Sequence, residues 1–209
     1  MKINNIIAHR INTIAQLQNV PKNFGLELDV RYHEDDLVLH HDPFSHHKNS
    51  PQKLYDFLKN YNCEGWLILN IKTEGVEMKC IEFMNEFKIK KWFFLDLSMP
   101  YFVKYSQYAQ SGSIQGFGPN NLAVRFSEFE PLEYALSFAD RARWVWVDCF
   151  TKLPINDEIY WQLKQAGLNI CLVSPELQGH AVERIAEFKL QLVGKEIDAV
   201  CTKYAELWH

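Results

Sequence analysis

The 209-residue chain has no long hydrophobic run. No window of about 18 residues is continuously apolar, so no membrane-spanning helix is expected. Paired cysteines are missing too. The 5 cysteines, at positions 63, 80, 149, 171 and 201, form no CxxC, and their odd number argues against a disulfide framework or a zinc ribbon. Buried reduced thiols are the plain expectation. Neither sign of charge dominates: 22 Lys plus Arg against 26 Asp plus Glu leave a net −4, which gives no footprint for a nucleic-acid backbone. Gly (9) and Pro (8) are too few for a collagen-like or low-complexity chain. Met1 to Arg10 lacks the apolar core and cleavage site of a signal peptide, so a cytoplasmic chain is expected. No GxGxxG follows the first apolar run, which disfavours an open dinucleotide-binding sheet. Val173-Ser174-Pro175-Glu176 is not a GxSxG elbow, so a serine hydrolase is disfavoured as well.

What is present is a repeated alternation. Eight short apolar runs each end in polar residues: Ile6 to Ala8, Leu26 to Val30, Trp66 to Ile71, Trp92 to Leu97, Ala123 to Phe126, Trp144 to Val147, Ile170 to Val173 and Ala199 to Cys201. Helix-like stretches separate most of them, among them Glu74 to Phe87, Asn156 to Ala166 and His180 to Leu192. Pro100, Pro131 and Pro154 fall near helix starts, where a missing N–H is tolerated. Between Val30 and Trp66 the spacing is longer. Leu37-Val38-Leu39 reads there as an extra extended piece, followed by a helix over Pro51 to Asn60. Strands alternating with helices imply βαβ units, and eight units imply a closed (β/α)8 barrel of minimal size. No linker divides the chain, so residues 1–209 are read as one domain.

In such a barrel the chemistry sits at the carboxyl ends of the strands. Side chains alternate along a strand. Glu27 and Asp29 therefore share a face, as do Asn70 and Lys72, and Asp96 and Ser98. Two carboxylates on one inward face repel each other, and a hard divalent cation with oxygen ligands relieves the repulsion. The alternative is a solvated or Arg-paired couple. His9 and His41 end two early segments and suit proton transfer near neutral pH. His33, His40, His46 and His47 read as structural. Asp96, Arg125, Glu128, Trp146, Asp148 and Glu176 are further strand-end candidates for binding substrate. The Arg125 fork suits a phosphate or carboxylate, and equally an ion pair with Glu128 or Asp148. Trp146 suits stacking on a sugar or base, and equally the core. Trp66, Trp92 and Trp144 begin strands and read as packing.

Three segments together, Ala8-His9-Arg10, Gly25-Leu26-Glu27-Leu28-Asp29-Val30 and Leu37-Val38-Leu39-His40-His41-Asp42-Pro43, resemble the glycerophosphodiester phosphodiesterase family in order and spacing. Leu69-Asn70-Ile71-Lys72 looks like that family's third-strand motif. The resemblance covers roughly the first third of the chain and implies a TIM barrel that hydrolyses a small phosphodiester with Mg²⁺ or Ca²⁺. By carry-over, His9 and His41 are the acid/base pair. Glu27, Asp29 and Asn70 hold the metal, Arg10 meets the phosphate or braces the site, and Lys72 neutralises phosphate charge.

The chain departs from the family pattern at three places. Ile11 stands where a Gly usually follows HR. Asn70 stands where the third metal carboxylate usually falls, which removes one negative charge, and Asp96 could compensate. The stretch after HR is reduced to Asn12-Thr13. Two other readings follow: a barrel that binds a phosphorylated or sugar ligand without turnover, and a lyase that stops at a cyclic phosphate. Substrate head group and oligomeric state are not legible, and with no basic amphipathic anchor, stable membrane insertion is not expected.

Overall fold

A computed structural model describes residues 1–43 and 51–208. His46 and His47 lie outside the described residues. Eight parallel strands appear in barrel order: β1 (Ile6–Ala8), β2 (Gly25–His33), β3 (Leu67–Ile71), β4 (Trp92–Leu95), β5 (Ala123–Phe126), β6 (Trp144–Val147), β7 (Asn169–Val173) and β8 (Ala199–Thr202). Helices follow the first seven: α1 (Ile14–Leu17), α2 (Leu54–Asn60), α3 (Glu77–Glu86), α4 (Met99–Ser111), α5 (Leu132–Leu136), α6 (Asp157–Gln165) and α7 (Arg184–Gln191). After β8 the described chain has a 3₁₀ turn, Ala205–Leu207. Local signals set these boundaries. Thr13 and Gln16 form a capping box at α1, the Asn156 side chain caps α6, and Pro100 sits in the first turn of α4. A short parallel pairing of Lys2–Ile3 with Glu196–Ile197 lies beneath the barrel, where no apolar run announces it. No helix among the described residues is long and apolar enough to cross a membrane.

The strands split their side chains as period two requires. Ile7, Ile68, Phe93, Ala123, Trp144, Cys171 and Ala199 fill the barrel interior, while Leu26, Leu28, Val30, Leu67 and Leu69 face the helices. Trp144 stacks on Phe93 at 4.8 Å between ring centres and meets Trp66 edge-on at 4.7 Å. These aromatics plug the lower barrel, and the two fully buried rings, Phe93 and Trp144, contribute on the order of 3 kcal/mol each. All five cysteines are free thiols, and four of them are buried. A Cβ on Gly65 would run into the Gly25 backbone and one on Gly25 into the Trp66 backbone, and this close approach lets β2 and β3 start side by side. Trp146, Leu95 and Val173 form the next layer up, and the polar mouth opens above them.

The expected closed ring is modified at one seam. Seven of the eight neighbouring strand pairs form ladders, but β4 and β5 share only the bridge between Phe94 and Leu122. The cause is local. A 3₁₀ turn, Pro119–Asn121, delays β5, and β4 ends at Asp96, whose φ of 58° is left-handed. Side chains close the gap instead. Asn121 Nδ2 donates to the Trp92 carbonyl at 3.0 Å below, and Arg125 Nη1 reaches Asp96 Oδ1 at 2.5 Å above.

Candidate functional site

The carboxyl ends of the strands form a cleft of about 200 Å³ whose lining includes His9, Arg10, His41, Asn70, Lys72, Asp96, Arg125, Trp146 and Asp148. Alternation brings the early candidates together. Asp29 pairs in register with Asn70 on β3, and the previous pair on the same face, two residues earlier, is Glu27 with Ile68. Asn70 Nδ2 donates to Glu27 Oε1 at 2.9 Å, and the Arg10 backbone N–H donates to Glu27 Oε2 at 2.8 Å. Arg10 makes that bond from a left-handed turn, φ 54°, which Ile11 follows. Ile11 itself packs toward the outer core and does not line the cleft. Asn12 grips Asp29 twice: its Nδ2 donates to Asp29 Oδ2 at 2.8 Å, and its Oδ1 accepts from the Asp29 N–H at 2.9 Å.

The long β2 delivers the second histidine. It runs past the barrel into a hairpin with Asp36–Leu39 through Glu34 and Asp35, both left-handed. The hairpin returns over the mouth, where the His40 N–H donates to the Asp29 carbonyl at 3.0 Å. Arg31 donates to the His41 carbonyl through Nε and Nη2, and to the Lys72 carbonyl through Nη1. His41 Nε2 lies 2.6 Å from Arg10 Nη2, and a guanidinium only donates, so Nε2 accepts. Nδ1 then carries the proton and donates to Asp42 Oδ1 at 2.7 Å. His9 Nε2 lies 3.8 Å from Glu27 Oε2, and its Nδ1 has no hydrogen-bond partner.

Burial and crowding set the charges. Burial first, then the Asp29 charge, pushes Glu27 up to about 7, against the pull of its hydrogen bonds from Asn70 and Arg10. Burial, helped by the cations Arg10, Lys203 and Lys72 and by His41, pulls His9 down to about 3, so it is a neutral imidazole at physiological pH. Burial raises Asp148 to about 6 although Arg125 opposes it.

The residues at the floor fit a hard divalent cation. Asp29 Oδ1 and Asn70 Oδ1 are buried without hydrogen bonds, and with Glu27 they make an all-oxygen donor set. Among the described residues no group of three or more His, Cys, Asp or Glu is placed to hold a metal, because the third member of this set is an amide.

On the opposite wall Arg125 takes the ion-pair alternative. Each Arg125 guanidinium nitrogen meets a carboxylate: Asp96 at 2.5 Å, Asp148 at 2.6 Å and Glu130 at 2.9 Å. The fork is thus engaged in ion pairs rather than held open for an anion; Asp148 is the partner anticipated, and Asp96 and Glu130 take the place of Glu128. Glu128 instead accepts from the Thr151 N–H and hydroxyl. Asp96 does not join Glu27 and Asp29. Its Oδ1 faces Arg125, and its Oδ2 accepts from Lys72 at 3.3 Å. Glu176 ties Ser174 to Thr202 across β7 and β8 and is structural. Trp146 is 6% exposed and forms part of the cleft floor. Sequence reasoning missed Asn12, Asp42 and Gln178, the last of which donates to Asp148 Oδ1 at 2.7 Å. Only Asp42 had a local signal, its place beside His41.

An α/β barrel with parallel strands and a histidine-flanked, oxygen-floored cleft is the class that fold and site define. No protein-family model matches the chain, and no curated protein matches it in sequence. Among solved structures it is similar to a glycerophosphodiester phosphodiesterase from Agrobacterium tumefaciens, at 14% identity and TM-score 0.68, with 98% of each chain covered. It is also similar to a glycerophosphoryl diester phosphodiesterase from Parabacteroides distasonis, at 11% identity and TM-score 0.64, covering 99% of this chain and 86% of that one. The tryptophan synthase α subunit from Campylobacter jejuni matches at 12% identity and TM-score 0.57, covering 95% of this chain and 86% of that one. The chain therefore has the fold of the glycerophosphodiester phosphodiesterases. One architecture carries different chemistries, so activity has to be argued from the cleft.

Proposed function

We propose that this chain is a phosphodiesterase that uses a divalent cation, Mg²⁺ or Ca²⁺, and cleaves a glycerophosphodiester or a related small phosphodiester by histidine acid/base catalysis. The observation that carries this reading is the convergence of His9, Arg10, His41 and Lys72 on one cleft floored by Glu27, Asp29 and Asn70. When bound by those three residues, the cation would polarise the phosphoryl oxygens and offset charge as it grows in the transition state. Arg10 and Lys72 bind the phosphate anion. As Arg10 turns from His41 to the phosphate, His41 Nε2 is released and can take up a proton, with Asp42 stabilising the imidazolium. His9, a neutral imidazole lining the cleft, accepts the proton of the attacking hydroxyl. His41 gives its proton to the departing alkoxide. Where the attacker is a neighbouring hydroxyl of the substrate, the product is a cyclic phosphate. Water then opens it with the two histidines in exchanged roles.

The test is a panel of small phosphodiesters assayed with Mg²⁺, Ca²⁺ and Mn²⁺ beside His9→Ala and His41→Ala. Each variant is expected to lose roughly 10²-fold or more in turnover. Phosphorus NMR of the product separates hydrolysis from a lyase that stops at the cyclic phosphate. Full activity in excess chelator removes the cation. Full activity of His41→Ala removes the acid/base assignment. Ligand-induced thermal stabilisation with no cleavage across the panel favours a binding barrel.

A further inference from the structure

Lys72 stands between two carboxylates. Its ammonium donates to Asp96 Oδ2 at 3.3 Å and faces Asp29 Oδ1 at 3.7 Å without a hydrogen bond. That Asp29 oxygen is buried and accepts nothing. It can serve an ammonium or a divalent cation, and each excludes the other by charge. Asp96 is held where it can decide between them. Arg125 Nη1 fixes its other oxygen, and the left-handed backbone at Asp96 turns its side chain into the mouth.

We propose that Asp96 is a positioning residue that keeps the Lys72 ammonium off Asp29 and so leaves that oxygen to a divalent cation, an inference that rests on the cation in the function proposed above. An ammonium has three donors and no acceptor, so a Lys72 released from Asp96 settles on the nearest unsatisfied anionic oxygen. That oxygen is Asp29 Oδ1. There it would neutralise one of two carboxylates and repel an incoming cation. Asp96 thus acts on cation binding through Lys72, without being a ligand.

The test is calorimetric titration of Mg²⁺ and of Ca²⁺ into wild type, Asp96→Asn, Lys72→Met and the double variant. Asparagine tolerates the left-handed backbone at position 96, and thermal unfolding without cation checks that each variant is folded. Asp96→Gly is the second variant should the asparagine protein misfold, since glycine adopts this φ freely. Removal of Asp96 is expected to weaken cation binding roughly tenfold when Lys72 is present and less than about threefold in the Lys72→Met background. A direct role for Asp96 gives the opposite order: freed of its lysine, Asp96 would attract the cation more strongly, and its loss would cost more in the Lys72→Met background. That order, or a wild type that binds neither cation, overturns the proposal. The expected cycle in a protein that cleaves no phosphodiester overturns the proposed activity and leaves this inference standing.

Discussion

Glu27 is the most informative group to perturb. It is fully buried beside Asp29, and folding raises it from an ordinary 4.5 to about 7. A raised carboxyl favours its protonated form in the folded state, so its contribution is unpenalised below pH 4.5. Stability is then lost as pH rises through the window from 4.5 to 7. At 1.36 kcal/mol per pH unit the full penalty is about 3 kcal/mol, of which about 2 to 3 kcal/mol develops between pH 5 and pH 8. For a domain of this size that is roughly 5 to 10 °C in melting temperature. His9 works in the opposite direction. Its depressed value stabilises above pH 6.5 and is lost as pH falls, so the wild-type slope alone is a mixture. The clean quantity is the wild type compared with Glu27→Gln in chelator, by urea unfolding at pH 5 and pH 8. The glutamine loses one of the two hydrogen bonds to Asn70 and Arg10 at every pH, which offsets the curve without tilting it. Relative to Glu27→Gln, the wild type is expected to lose about 2 to 3 kcal/mol between those pH values. Saturating Mg²⁺ or Ca²⁺ should stabilise the wild type more at pH 8 than at pH 5, and Glu27→Gln much less. Parallel pH curves for the two proteins would refute the crowding of Glu27 and Asp29 as the source of cation demand.

Other perturbations test separate parts of the cleft. Asn12→Ala removes both contacts to Asp29 and is expected to cost about 1 to 3 kcal/mol in urea unfolding, with weaker cation binding by calorimetry. Asn70→Asp supplies a third carboxylate and should tighten cation binding at least tenfold while lowering chelated stability at pH 8. Asp42→Asn leaves His41 in place but removes the carboxylate that supports its imidazolium, so turnover in the phosphodiester assay should fall on the order of tenfold. Arg125→Met leaves Asp148, Asp96 and Glu130 without their guanidinium and should destabilise by about 2 kcal/mol or more in urea unfolding at pH 8, and by less below the raised Asp148 value near 6, where that carboxyl is already protonated.

The sequence carried the barrel because alternation is a local signal. Seven of the eight apolar runs coincide with strands to within two residues at each end, and the β2 run is the exception, since its strand continues into the hairpin. The helices at Asp157–Gln165 and Glu77–Glu86 fall inside their periodic stretches, and Leu37 to Leu39 is the extended piece anticipated. The hairpin turn at Glu34 and Asp35 was not legible, because no glycine or asparagine marks its two left-handed positions. Nor was the grip of Asn12 on Asp29, which joins residues on different elements without any spacing rule.

Asp96 shows most clearly where alternation stops being a guide. Phe93 and Leu95 point into the barrel, so an extended Asp96 would face the helices. Its left-handed backbone ends the strand and reverses that sense, and the same turn ends the β4–β5 ladder. One backbone angle thus opens the seam and brings a carboxylate to the mouth, where Arg125 closes the seam again by side-chain contact. The anionic wall of the cleft and the interrupted ladder are therefore a single structural feature. Because Lys72 leans on the same carboxylate, the geometry of the seam also fixes how far an ammonium stands from Asp29, and hence how much room the two crowded carboxylates leave for a cation.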